Sequence, residues 1–198
     1  MKSLYLRSGL ALLCAIILSA CGGGGDGSLQ LTVSLSGVTK DGLVLTNTNT
    51  GELLPVPIGT SIIAFTKLAG TDEQFNIQIK TPPANATCTL TDNTGKANAY
   101  TAYRIVVSCT NDPYTLGGVV YGLKSNGLVL ANGPDTVGVV ANGGADVAYT
   151  FPTKVPNGSP FGVTVLSQPA GQTCTVDPTK AVGNMPATDA LQMYVTCK

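Results

Sequence analysis

Six cysteines, eleven Asp and Glu carboxylates and seven tyrosines are the groups in this chain whose types could do chemistry, and it contains no histidine. Without imidazole, a serine or cysteine hydrolase with a histidine base is excluded, and so are zinc centres that bind through imidazole. Asp72-Glu73 is the one adjacent acidic pair. Neighbours on a strand point to opposite faces, so the pair reads as a solvated turn rather than a catalytic dyad. Asn111-Asp112-Pro113 could contribute to a calcium site, but calcium takes about six or more oxygens and no second carboxylate run stands nearby. It reads as a rigid linker. A four-thiolate zinc site would call for a Cys-x-x-Cys spacing, which the chain lacks. Tyr100 and Tyr103 could stack on sugar rings or on a protein partner. The plainer reading is that they cover the end of a small core.

Cys21 stands apart from the other cysteines. Lys2 and Arg7 give a positive start, Gly9 to Ala20 is almost wholly apolar, and the run ends in small residues. That is the layout of an export signal, shorter than the roughly 20 apolar residues that span a bilayer. Leu18-Ser19-Ala20-Cys21 resembles the lipobox of bacterial lipoproteins. The resemblance implies removal of residues 1–20, a covalent lipid (diacylglycerol and palmitate-type acyl chains) on Cys21, and anchoring to a membrane. Gly22 after the cysteine implies, by the sorting rule of that family, delivery to the outer membrane, on its surface or its periplasmic face. Gly22 to Gly25 then begin a Gly-rich tether over 21–28, which would reach roughly 15 Å as a random coil.

Without Lys2 and Arg7, 9 basic side chains remain against 11 acidic ones. A net charge near −2 with scattered charges argues against nucleic-acid binding, which needs a basic patch or stripe. Gly, Thr, Asn and Val dominate, and tryptophan is absent. This composition suits an exported all-β protein rich in turns, too apolar to be disordered.

The chain also repeats itself. Ser36-Gly37-Val38 through Leu45 returns as Tyr121-Gly122-Leu123 through Leu130. Phe65 and Phe75 return as Phe151 and Phe161, which marks all four as core. Pro83 to Thr89 returns as Pro169 to Thr175, and Val107-Ser108-Cys109 as Val195-Thr196-Cys197. Two copies of this length fit two domains rather than a solenoid of short repeats, with boundaries at 29–112 and 113–198. Inside each copy apolar and polar residues alternate, as in Leu29 to Leu35 and Phe75 to Lys80, which is the pattern of half-buried strands. Turn chemistry such as Lys40-Asp41-Gly42 and Ser125-Asn126-Gly127 separates the runs. The spacing gives strands near 29–36, 42–47, 52–57, 60–66, 75–81, 86–91 and 102–110. The second set lies near 115–122, 127–132, 136–141, 145–151, 161–167, 172–177 and 190–197. Two tandem seven-stranded antiparallel β-sandwich domains follow. The Thr46 to Thr50 run reads as a polar strand edge that resists aggregation.

The second copy resembles a tandem β-sandwich unit of bacterial surface and secreted proteins, immunoglobulin-like or prealbumin-like. The resemblance rests on Gly122-Leu123, Gly127 to Leu130, Tyr149 to Phe151, Val163 to Val176 and Val195 to Cys197. It implies a spacer or surface module and brings no catalytic residues. The first copy diverges, with Thr81-Pro82-Pro83-Ala84-Asn85-Ala86 in place of the second copy's Ser167-Gln168-Pro169-Ala170-Gly171-Gln172.

Of the four cysteines left after Cys14 and Cys21, one pair falls in each copy. Three connectivities are possible, and repeat symmetry selects Cys88 with Cys109 and Cys174 with Cys197. Closing a loop of about 20 residues is worth roughly 3 kcal/mol in the chain-entropy picture. The expected function is therefore non-enzymatic: a membrane-anchored lipoprotein acting as a surface or periplasmic interaction module, adhesion-like, with no cofactor beyond the lipid on Cys21. Its partner would be an unidentified protein or glycan. The rival expectations are an inhibitor or immunity-type lipoprotein blocking an enzyme through a loop such as Gly70 to Gln74, and a carbohydrate-binding module using Tyr100 and Tyr103.

Overall fold

The computed structural model describes residues 29–198. The export signal, Cys21 and the tether lie outside the described residues. The first copy contains β1 (Leu29–Ser36), β2 (Val44–Asn47), β3 (Glu52–Pro55), β4 (Ile62–Ala69), β5 (Gln74–Thr81), β6 (Ala86–Thr91), β7 (Thr94–Lys96) and β8 (Ile105–Asn111), with a 3-10 turn at Thr101–Tyr103. The second contains β9 (Pro113–Tyr114), β10 (Gly117–Tyr121), β11 (Leu128–Asn132), β12 (Asp135–Val139), β13 (Val147–Thr150), β14 (Val155–Pro156), β15 (Pro160–Ser167), β16 (Cys174–Val176), β17 (Val182–Asn184) and β18 (Val195–Cys197).

Each copy is a sandwich of two four-stranded sheets. In the first they run β4-β1-β8-β6 and β3-β2-β5-β7, and in the second β13-β10-β18-β16 and β12-β11-β15-β17. The alternating residues do what their period dictates: Leu31, Val33 and Leu35 of β1 point inward while Gln30, Thr32 and Ser34 do not. Two separate hydrophobic clusters result, one from Leu31 to Cys109 and one from Leu116 to Cys197. Phe65, Phe75 and Phe151 are buried, and Phe161 is half-buried against the second cluster.

Three features go beyond the alternation. An eighth strand, β7 or β17, pairs with β5 or β15 in each copy; it is three residues long and wholly exposed, so it has no apolar period to show. The first and last strands, β1 with β8 and β10 with β18, pair in parallel, in sheets otherwise antiparallel. The pair β9 and β14 corresponds to the outer ends of β1 and β4, split off where the first copy has only an irregularity between Gln30 and Thr32. Thr46 and Asn47 lie on β2, an inner strand, so that run does not protect a sheet edge; β3 is the edge.

The copies match in detail. Leu45 faces Ile79 but Val44 faces Thr81, and the same extra residue recurs where Leu130 faces Val165 but Val129 faces Ser167. Cys88 is directly opposite Cys109 on β6 and β8, and Cys174 opposite Cys197 on β16 and β18. Each pair is a disulfide, at Cα–Cα 4.0 Å in both. Gly37 and Gly122, both at positive φ, sit against the carbonyls of Cys109 and Cys197. A side chain at Gly37 would overlap that carbonyl.

An acidic residue at the start of the third strand ties the sheets together at their edges. Glu52 Oε1 accepts from the Thr66 N–H at 2.6 Å and from the Thr66 hydroxyl at 2.8 Å, and Oε2 accepts from the Lys67 N–H at 3.0 Å. In the second copy Asp135 Oδ2 accepts from the Thr153 N–H at 2.9 Å, two residues past Phe151 as Lys67 is two past Phe65. Partial burial pushes the Glu52 carboxyl up. The Thr66 and Lys67 N–H groups, the Thr66 hydroxyl and the Lys67 ammonium outweigh it and hold the group below the usual carboxylate range.

The second core differs at one crossing. Val33 faces Ile63 in the first copy; Gly118 faces Tyr149 at the matching place. The Tyr149 ring lies edge-on to Phe151 at 5.9 Å, and its hydroxyl donates to the Met193 carbonyl at 2.9 Å. Gly118 leaves the room: a methyl there would overlap that same carbonyl. The residue on the first strand has shrunk from valine to glycine while its partner has grown from isoleucine to tyrosine, so the core volume is roughly kept.

Gly118→Ala should therefore cost about 3 kcal/mol by overpacking, read as a lowered urea midpoint. Burial also pushes the Tyr149 hydroxyl above its ordinary value. The folded state thus holds that proton more tightly, so its contribution is complete below pH of about 10 and is lost as pH rises further, by up to about 1.4 kcal/mol per unit. Urea midpoints at pH 9 and pH 11 (about one unit either side of the free tyrosine value) should diverge in the native chain, and Tyr149→Phe should remove this tyrosine's share of the difference.

Candidate functional surfaces

Strand direction divides the molecule into poles. The chain enters the first domain at Leu29, which pairs with Ala69, and leaves from Asn111 beyond the far end of β1. The β2–β3 turn, loop Gly70–Glu73 and the 3-10 turn lie at the pole where it enters, the proximal pole. Residues 37–43, 56–61 and 82–85 lie at the other.

At the proximal pole the two groups of residues singled out from the sequence come together. The Asp72 N–H donates to the Ala97 carbonyl at 2.8 Å, and the Ala97 N–H to the Glu73 carbonyl at 2.8 Å. Glu73 Oε2 accepts from the Gly70 N–H at 2.7 Å. Asp72 and Glu73 therefore do form a turn, and Glu73 is spent within it. Asn98 Oδ1 accepts from the N–H groups of Tyr100 and Thr101 at 2.9 and 3.0 Å, and the Thr101 hydroxyl donates to the Lys96 carbonyl at 2.6 Å. Fully buried Ala102 pins the turn to the core. Tyr100 and Tyr103 are left outside, at 81% and 59% exposure, and do not cover the core. A cleft of about 450 Å³ is lined by Asn49, Gln74, Asn76, Thr94 and Lys96, and neither tyrosine is among its lining residues.

The second domain uses its matching pole as a joint. Gly158 N–H donates to the Met185 carbonyl and Met185 N–H to the Ser159 carbonyl, both at 2.8 Å, which repeats the Asp72–Ala97–Glu73 pattern. Here the surface is covered by the first domain. Asn111 Nδ2 donates to the Asn157 carbonyl at 2.8 Å, and the Asn157 N–H to the Asp112 carbonyl at 2.9 Å. The Thr39 hydroxyl donates to Asn111 Oδ1 at 2.7 Å, the Thr87 hydroxyl to Asp112 Oδ1 at 2.9 Å and the Tyr114 hydroxyl to Asn85 Oδ1 at 3.2 Å. This accounts for the divergent run of the first copy. Asn85, at φ 56, keeps the left-handed turn that Gly171 supplies at φ 70 and adds a side chain that meets Tyr114.

Among the described residues the far pole of the second domain has no such neighbour, and its loops are tied to one another. Gln172 Oε1 accepts from the N–H groups of Lys124 and Ser125 at 2.7 and 3.1 Å, and its amide donates to the Gly122 carbonyl at 2.9 Å. Gln168 exchanges two hydrogen bonds with the backbone of Cys174, at 2.8 and 3.1 Å. Asn126 Oδ1 accepts from the Ala141 N–H at 2.9 Å. The Gln-Pro-x-Gly-Gln run is thus a loop-fixing device.

The carboxylates are mostly engaged in the same way. Asp177 takes the N–H and hydroxyl of Thr179, which hold its carboxyl below the usual range. Asp189 caps the Thr115 N–H at 2.7 Å, and Asp92 meets Arg104 at 3.6 Å. Among the described residues no three His, Cys, Asp or Glu side chains gather where they could hold a metal.

No protein-family model matches the chain, and no curated protein is similar to it. Among solved structures it is similar to a C-terminal fragment of the pilus adhesin SpaC of Lactobacillus rhamnosus GG. That likeness has 11% identity and a TM-score of 0.36, over 85% of this chain and 96% of that one. It is also similar to the major pilin T-13 of Streptococcus pyogenes, at 10% identity and a TM-score of 0.29, over 88% and 98% of the two chains.

Removing the side-chain contacts of the joint should free the domains without unfolding them. Asn111→Ala with Tyr114→Phe deletes bonds worth about 1 kcal/mol each. Backbone 15N relaxation should then give the two domains separate tumbling times where the native chain gives one. A single tumbling time in the double variant would mean that the backbone bond of Asn157 to Asp112, with the Thr87–Asp112 contact, is enough to hold the joint.

Proposed function

We propose that this protein is a non-enzymatic, lipid-anchored spacer whose two sandwich domains carry a rigid platform of loops away from a membrane, as a surface or periplasmic interaction module of adhesion-like type. The observation that carries the reading is directional. The chain enters at one extreme pole, passes through a bonded joint, and reaches the opposite pole at β18, beyond which Thr173 and Lys198 exchange backbone hydrogen bonds at 2.9 Å. The lipobox-like Leu18-Ser19-Ala20-Cys21 precedes the pole where the chain enters. A protein held by Cys21 would thus present the loops 122–127, 140–146 and 168–173 outward. Those loops are fixed by Gln168, Gln172 and Asn126, so a partner protein or glycan would meet a surface already ordered. Pre-organisation lowers the entropy cost of binding.

Labelled palmitate should be incorporated by the native chain, and Cys21→Ser should abolish both labelling and membrane retention. A Cys21→Ser chain that stays in the membrane fraction overturns the anchor. Protease treatment of intact cells, with a tag after Lys198 and a periplasmic protein as control, then separates the two faces. Release of a tagged fragment with the control intact puts the domains outside the cell, and protection until the outer membrane is opened puts them in the periplasm.

A further inference from the structure

The proximal pole of the first domain is the counterpart of a surface that the second domain buries. In the second domain the loop through Asn157 to Ser159, with Met185 behind it, is capped by Asn111 and Asp112. In the first domain the matching loop, Thr71 to Glu73 with Ala97 behind it, carries no such cap among the described residues. Beside it stand Tyr100 and Tyr103, where the second domain has Thr188 and Leu191. Leu68, half exposed at 50%, lies on β4 at the same pole. Two tyrosines set on a rigid turn, apolar in body and polar at the tip, are suited to a boundary between water and lipid.

What covers this pole follows from where the chain reaches it. Seven residues, Gly22 to Ser28, separate the lipobox cysteine from Leu29, which makes eight Cα-to-Cα steps. Fully extended they span at most about 28 Å, so a lipid on Cys21 keeps the proximal pole within that distance of the headgroups. Contacts too weak to bind a free protein become populated when the anchor makes them intramolecular. We propose that the Tyr100–Tyr103 turn rests on the lipid headgroup layer and sets the molecule upright on its anchor, rather than binding a soluble ligand.

Charge is not the source of the contact. Lys67, Lys96 and Arg104 at this pole are matched by Glu52, Asp72, Glu73 and Asp92, so the contact should change little with salt. The proposal rests on the lipidation of Cys21, and the experiment separates the two.

The chain has no tryptophan, so a single introduced one reports on its own surroundings. Tyr100→Trp and, as a control on the far pole, Val140→Trp, at a site 70% exposed, are made in the full lipidated protein. Each is reconstituted in vesicles of phosphatidylethanolamine and phosphatidylglycerol, with and without headgroup-proximal brominated lipid. Flotation tests the anchor first: a full chain that does not float with the vesicles overturns the anchored reading and this proposal with it. If both chains float, the tryptophan at 100 should be quenched several-fold more than that at 140, with emission shifted to shorter wavelength. Equal quenching overturns the headgroup contact while leaving the anchor standing. A tryptophan at 100 that lipid does not quench, but that soluble cell-wall oligosaccharides or a soluble partner protein do perturb, overturns it in favour of a ligand site.

Discussion

The parallel pairing of β1 with β8 decides the shape of everything beyond it. Val33 to Ser36 lie beside Ile105 to Ser108 in the same direction. In a sandwich whose first and last strands were antiparallel neighbours, the chain would return to the pole at which it began. Here it leaves from the opposite one. Repetition of the same pairing in β10 and β18 sets the domains end to end. The disulfide locks β6 onto the strand that does this work, Gly37 admits its carbonyl, and Asn111 and Asp112 at its end make the joint.

Much of this was legible in the residues. Period-two alternation located β1, β5 and β15 almost to the residue, because each buries one face against a single core. The fold class, sandwiches in tandem, followed from that alternation and the repeat. The short exposed strands β7 and β17 carried no period and stayed hidden. So did strand direction, since an alternating pattern reads the same for a parallel or an antiparallel neighbour. The polar turn at Asp72-Glu73 was legible for a physical reason: two adjacent charges have no common face on a strand.

The surfaces were less legible than the fold. Tyr100 and Tyr103 stood out in the sequence, but whether they cover a core or face outward depends on Ala102 filling the space beneath the turn. The link between that turn and loop Gly70–Gln74 runs through backbone groups of Ala97, which no residue type announces. The exchange of Val33 and Ile63 for Gly118 and Tyr149 was invisible for a related reason. Its two halves are distant in the chain and compensate only in three dimensions. The glutamines of the second copy could be recognised as a motif, but their purpose, fixing Lys124, Ser125 and Cys174, required the loops to be seen together.

The parallel pair has a mechanical meaning as well. A pull between Leu29 and Asn111 acts along β1 and β8 in opposing senses, so their hydrogen bonds are loaded in shear and must yield together. An antiparallel hairpin pulled from its open ends would instead unzip one bond at a time. Should the sheet give way, the Cys88–Cys109 bridge keeps the 21-residue span between them from paying out. A load between the two ends of the domain would therefore meet bonds that must break together, with a covalent limit on extension once they have.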